Sequence, residues 1–207
     1  MRKFKLAAGL VSALALIMAP AIVAGATNNN PQGDKGSLAA NTTAAEVPCK
    51  RLSAGNGQAK DIFLSTAMPR TYTGTDWQDV QCARTTFRLG YAERALVTSD
   101  FNAEADCNGT DPANGQWCET RALLNGLEGS PVAAEPSSFA FDNVSEGPNN
   151  WQAHSMNRAW EVRCTSREGC QYKFAVQTKM HDGSVTGMWL DEIATHLSIV
   201  VGPGVPL

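Results

Sequence analysis

The chain has 207 residues, a formal net charge of −3 at neutral pH, 43% hydrophobic residues and six cysteines. An acidic balance of this kind argues against nucleic acid as a partner, because phosphate contacts need a basic surface. The length fits one domain of ordinary size behind an N-terminal leader, large enough to bury a core of its own.

The leader comes first. Arg2, Lys3 and Lys5 give a positive start, an apolar run follows from Leu6 to Val23, and Ala24, Gly25 and Ala26 form the small-residue exit of a bacterial secretory signal. Pro20 and that exit favour cleavage after Ala26 over retention as a membrane span. Removing residues 1–26 takes away three basic residues and no acidic one, so the mature chain stands at −6. No cysteine follows the cleavage site directly and no second long apolar run appears downstream. The expectation is therefore a secreted protein, extracellular or periplasmic, that is not membrane-embedded after signal cleavage. Residues 27–47 are rich in Asn, Gly, Thr and Ala and hold no aromatic residue, a composition that cannot offset chain entropy by burial and reads as a flexible linker.

From residue 48 to 207 the hydrophobic period is two. Ile62, Leu64 and Thr66 alternate, then Thr85, Phe87 and Leu89, then Ala95, Val97, Ser99 and Phe101; Phe139, Phe141 and Val144 mark a shorter run. Tyr172, Phe174, Val176, Thr178 and Met180 share one face while Lys173, Gln177 and Lys179 take the other, and Leu197, Ile199 and Val201 close the series. Turn chemistry separates these runs at Asn125-Gly126, Gly147-Pro148-Asn149-Asn150 and Asp182-Gly183. Short strands at this density, without a long amphipathic helix, predict an all-β fold: a two-sheet antiparallel sandwich with jelly-roll or other Greek-key wiring.

The cysteines staple that frame. Cys164 and Cys170 bracket TSREG, and Cys107 and Cys118 bracket a turn-rich loop, both at the spacing of strands joined by a hairpin. Elimination leaves Cys49 with Cys82, one of the 15 pairings that six cysteines allow. Zinc is disfavoured, since the three histidines do not cluster with cysteines and no CxxC occurs.

The stretches RALLNGLEGSP, FAFDNVSEGPNNWQAHSMNRAWEVRC, YKFAVQTKMHDG and LDEIATHLSIVVG resemble a group of uncharacterised exported bacterial β-sandwich proteins over roughly residues 84 to 202. The resemblance implies secretion and a jelly roll similar to that of the complement globular head and tumour necrosis factor group. It implies no chemistry. The chain departs from the theme in its stapling cysteines and in Thr178, where an aromatic residue is common.

No constellation has the spacing of an enzyme site. There is no GxSxG elbow, HExxH helix or phosphate loop. His154, His181 and His196 are scattered, and the carboxylates Glu161, Asp191 and Glu192 are no more than an acidic sandwich would carry. A catalytic set is therefore not expected, and neither is a cofactor. One cation site is conceivable: Asp106, Asn108, Asp111 and Asn114 crowd the loop that Cys107 and Cys118 would close, offering hard oxygen ligands to a structural calcium ion, with a plain polar loop as the alternative. Trp160 reads as core, whereas Trp77, Trp117 and Trp151 adjoin loops, where an exposed indole can stack on a sugar ring. The sequence thus points to an exported, non-catalytic sandwich acting by binding or assembly, with a glycan or a further copy of itself as partner.

Overall fold

The computed structural model describes residues 49–110, 116–131, 140–144 and 151–202. The leader, the linker, Phe139, the turn at 147–150, and Asp111 and Asn114 of the conceived calcium loop lie outside them. Among the described residues there are eleven strands: β1 (Lys50–Gly55), β2 (Ala59–Thr66), β3 (Arg70–Tyr72), β4 (Gln78–Leu89), β5 (Arg94–Gly109), β6 (Trp117–Leu124), β7 (Leu127–Glu128), β8 (Ala140–Asn143), β9 (Gln152–Arg163), β10 (Cys170–Met180) and β11 (Val185–Gly202). Among the described residues no helix is long and apolar enough to cross a membrane.

The strands form two antiparallel sheets. The front sheet runs β1-β2-β11-β5-β9, with β3 extending the β2 edge of β11; the back sheet runs β4-β10-β6, with β7 and β8 both on the far side of β6. The chain changes sheet at β3 to β4, β4 to β5, β5 to β6, β8 to β9, β9 to β10 and β10 to β11. That alternation, with β2-β11-β5-β9 laid over β4-β10-β6-β7, is jelly-roll wiring.

Period-two patterning decides what lies between the sheets. Ile62 and Leu64 from β2, Phe87 and Leu89 from β4, Val97 and Phe101 from β5, Phe174 and Val176 from β10, and Leu197 and Ile199 from β11 are all buried in one cluster. Trp160 belongs there too, edge-on to Phe174, its indole N–H donating to the Leu127 carbonyl at 3.0 Å. A buried indole needs such a partner, since leaving the donor unmet costs about 1–3 kcal/mol.

The structure forms the three expected disulfides, Cys49–Cys82, Cys107–Cys118 and Cys164–Cys170. The hairpin argument for the last two fails, however. Cys107 lies in β5 of the front sheet and Cys118 in β6 of the back sheet; Cys164 follows β9 of the front and Cys170 opens β10 of the back, where it stands opposite Leu89. Cys49 precedes β1 of the front sheet and Cys82 sits in β4 of the back. Every bridge therefore clamps one sheet to the other. The same sequence spacing serves both geometries, because a chain crossing the edge of a sandwich also brings two strand ends within bridging range, here with Cα atoms 5.9 and 5.4 Å apart.

Local backbone follows the turn residues. Asn125 and Gly126 both have positive φ, as a two-residue primed hairpin turn requires, and they join β6 to β7. The turn after β10 is closed by Asp182, whose carboxylate accepts from the Ser184 amide at 2.8 Å and from its hydroxyl; these bonds hold the Asp182 carboxyl below its usual range. Tyr91-Ala92 is a tight turn with Ala92 at positive φ.

Candidate functional site

Cross-strand register assembles a polar surface on the outside of the front sheet. Leu52 of β1 stands opposite Phe63 of β2, Phe63 opposite His196 of β11, His196 opposite Asp100 of β5, and Asp100 opposite Asn157 of β9. These five residues form one rung across five strands. Two residues along, the next rung on the same face holds Asn102 facing Ser155, and two residues the other way Ala54 faces Asp61. Together they line an open groove of about 740 Å³, within the size range of small-molecule sites.

His196 is the centre of the groove. Its Nε2 lies 3.1 Å from Asp61 Oδ1 and its Nδ1 3.7 Å from Asp100 Oδ2. The Asp61 contact is within hydrogen-bond range, whereas the Asp100 approach is longer and electrostatic. All three side chains are between 39% and 49% exposed, which leaves the carboxylates open to a ligand.

A β-bulge extends this surface toward the other end of the sheet. Between Asp191 and Ala194 the register of β11 against β5 shifts, and Glu192 takes φ 47° with its amide bonded to Asp191 Oδ1 at 2.7 Å. The extra residue lets Leu190 and Ile193 both face the core while Trp189, Asp191 and His196 remain on the outer side. Asp191 then opposes Glu104, and Trp189 opposes Asp106. Trp151, just before β9, meets Trp189 edge to face, so the two rings join across β5.

This end gathers residues that the sequence assigned to separate roles. Trp151 belonged to the sugar-stacking set, and Asp106 and Asn108 to the calcium set. Asp106 is only 6% exposed, and the Asn108 side-chain amide donates to its backbone carbonyl at 3.2 Å. Among the described residues no group of three or more His, Cys, Asp or Glu side chains has the geometry to hold a metal ion.

Trp77 and Trp117 are elsewhere, on the outside of the back sheet. The Arg121 guanidinium lies 4.0 Å from the centre of the Trp77 ring and Lys179 Nζ 4.9 Å, while Trp117 stacks on His181. Their faces are therefore taken by cations and by an imidazole. His181 bonds through Nδ1 to buried Glu119 at 2.8 Å, and Lys179 reaches the same carboxylate at 3.0 Å. His154 is 3.4 Å from buried Asp142, whose other oxygen accepts from the Cys107 amide. Glu161 is far from Asp191 and Glu192, paired with Arg94 at the opposite end of the β5–β9 ladder.

The groove residues Asp61, Phe63, Asp100, Asn102, Ser155 and Asn157 were not singled out in the sequence. Period two places each on the wet side of its strand, but only the β1-β2-β11-β5-β9 order sets them side by side. No protein-family model matches this chain, and no curated protein matches it in sequence.

Proposed function

We propose that this protein is an exported, non-catalytic binding module that holds a glycan across the outer face of its front sheet, at the cell surface or in the extracellular space. One observation carries the reading: carboxylates, amides and a hydroxyl from β2, β5 and β9 converge with the His196 imidazole of β11 on a single groove edged by Leu52 and Phe63. Ligand hydroxyls need acceptors and donors in close array, and a ring face needs an apolar side chain to lie against. The tryptophan pair at the far end of the same face supplies a second apolar contact. Three disulfides support the exported setting, since such bridges persist in oxidising compartments.

The role of His196 favours binding over catalysis. Both its nitrogens face carboxylates, and among the described residues no hydroxyl or thiol nucleophile is bonded to it. The test is a glycan array followed by titration of the best hit with wild type, Asp100→Ala and Asn157→Ala. Each variant should weaken binding at least about tenfold, the effect of losing a hydrogen bond to a charged or buried partner. Binding indifferent to both substitutions, or turnover on a hydrolase panel that depends on His196, would refute the reading.

A further inference from the structure

We infer that the ligand of this face is cationic: a glycan carrying free amines, of the kind produced when N-acetyl amino sugars are deacetylated. The inference rests on the proposed glycan-binding reading and names the class of glycan.

The charge of the face decides it. Asp61, Asp100, Glu104, Asp106 and Asp191 occupy outward positions of β2, β5 and β11, with Glu192 in the bulge beside them. Among the described residues no lysine or arginine lines the groove, and the imidazole of His196 already stands between two of these carboxylates. Glu104 and Asp191 are directly opposed across the ladder, an arrangement that costs stability until a positive charge settles between them. A neutral sugar would leave that repulsion in place. An ammonium relieves it.

Asp106 is an independent sign. Cys107 points inward to its bridge with Cys118, so Asp106 points outward by alternation. Its register puts it beside Trp189 and, one position beyond the Ala105–Gln152 pair, beside Trp151, whose rings meet across its strand. It is more than nine-tenths buried, and no side-chain partner for its carboxylate is present among the described residues. An ammonium seated between this carboxylate and the neighbouring indoles would gain both the ion pair and the ring quadrupoles. From Asp100 through Asn102 and Glu104 to Asp106 the outward residues of β5 span about 20 Å at the rise of a β-strand, which suits an extended polymer with repeated amines.

The mature disulfide-bonded chain is titrated with a chitosan oligosaccharide, with its fully N-acetylated counterpart and with polylysine, at low and at physiological salt. The deacetylated sugar should bind at least about tenfold tighter than the acetylated one and weaken with salt as screening demands. Asp106→Asn should lose about tenfold of that affinity, and Glu104→Gln with Asp191→Asn a similar factor, with the melting temperature of the ligand-free double variant no lower than that of wild type. The double variant, in half-exposed positions, keeps the test open if Asp106→Asn fails to fold. Equal or tighter binding of the acetylated sugar overturns the inference and leaves the glycan reading standing; no binding of either sugar removes both. Polylysine bound as tightly as the deacetylated sugar also overturns it, by moving the ligand to a basic polypeptide.

Discussion

The two outer faces of this molecule solve opposite electrostatic problems on the same scaffold. On the back sheet Arg84, Arg88, Arg121, Lys173 and Lys179 face out with Asp79, Glu119 and Glu128, and each of those carboxylates lies within 4 Å of a cation: Asp79 with Arg84 at 3.8 Å, Glu128 with Arg121 at 3.9 Å, Glu119 with Lys179 at 3.0 Å. On the front sheet Asp61 and Asp100 share one histidine, while Glu104 and Asp191 face each other. The tryptophans divide in the same way. Trp77 and Trp117 are covered by charged or imidazole groups, whereas Trp151 and Trp189 touch one another and Trp151 is exposed. The back face answers its carboxylates internally; on the front face Glu161 has Arg94, but among the described residues no lysine or arginine lies within 4 Å of Asp61, Asp100, Glu104 or Asp191, and the proposed binding reading rests on that difference.

The contrast presumes that both faces depend on one core and on clamps that carry no charge. Removing the bridges one at a time as Cys→Ser pairs tests that presumption with the largest expected effects. Their sequence separations are 33, 11 and 6 residues, which chain-entropy reasoning converts to about 4, 3 and 2 kcal/mol. Melting curves should rank Cys49–Cys82 above Cys107–Cys118 above Cys164–Cys170, and the last double variant should remain folded at room temperature. Each variant that is still folded should keep its affinity for the front-face ligand, except that loss of Cys107–Cys118 should loosen the Asp106 end.

Charge reversal addresses the faces themselves. Asp100→Lys with Glu104→Lys should cost about 100-fold in ligand affinity, near 2.7 kcal/mol, whereas Arg84→Glu with Lys173→Glu should stay within about twofold. Comparable losses from both pairs would mean that net charge, not the front face, governs binding. Trp77→Ala should act the other way round: about 1–2 kcal/mol of stability lost as Arg121 and Lys179 lose their ring, read by chemical denaturation, with ligand affinity unchanged.

The smallest effect appears at alkaline pH and involves both sheets. Burial pushes the hydroxyls of Tyr72 in β3 and Tyr172 in β10 above the ordinary 10.0, against a partial opposing effect at Tyr72 from the Gln81 amide that donates to its oxygen. The folded state thus favours the neutral phenol. Its contribution is complete below pH 10, where both states are protonated, and is lost as pH rises through the folded values. The melting temperature should fall above pH 10, and less steeply in Tyr72→Phe and Tyr172→Phe. A fall of equal slope in both variants would assign it to other groups.

The fold was legible because strand alternation is a local signal: Tyr172 to Met180 and Ala95 to Phe101 declare their dry faces within a few residues, and the structure buries those faces. Cysteine pairing was legible for a weaker reason, since short separations favour neighbours in any geometry. What the bridges connect was not, because a hairpin and a sheet crossing share one spacing. The groove was the least legible part. Asp61 and His196 are 135 residues apart in sequence, and nothing local to either announces the other. Their meeting follows from β11 pairing with β2, a nonlocal choice fixed by the whole core.

The clamp at Cys49 also has a mechanical meaning. Among the described residues β1 is an edge strand, exposed along its whole length and paired only with β2, the arrangement most easily peeled away when a chain is pulled from its N-terminal side. Because Cys49 precedes that strand and is bridged to Cys82 in the opposite sheet, tension arriving from upstream passes into β4 before it reaches the first hydrogen bond of β1. The load enters both layers together, and the groove wall formed by Leu52 and Ala54 stays seated while the chain ahead of it is under strain.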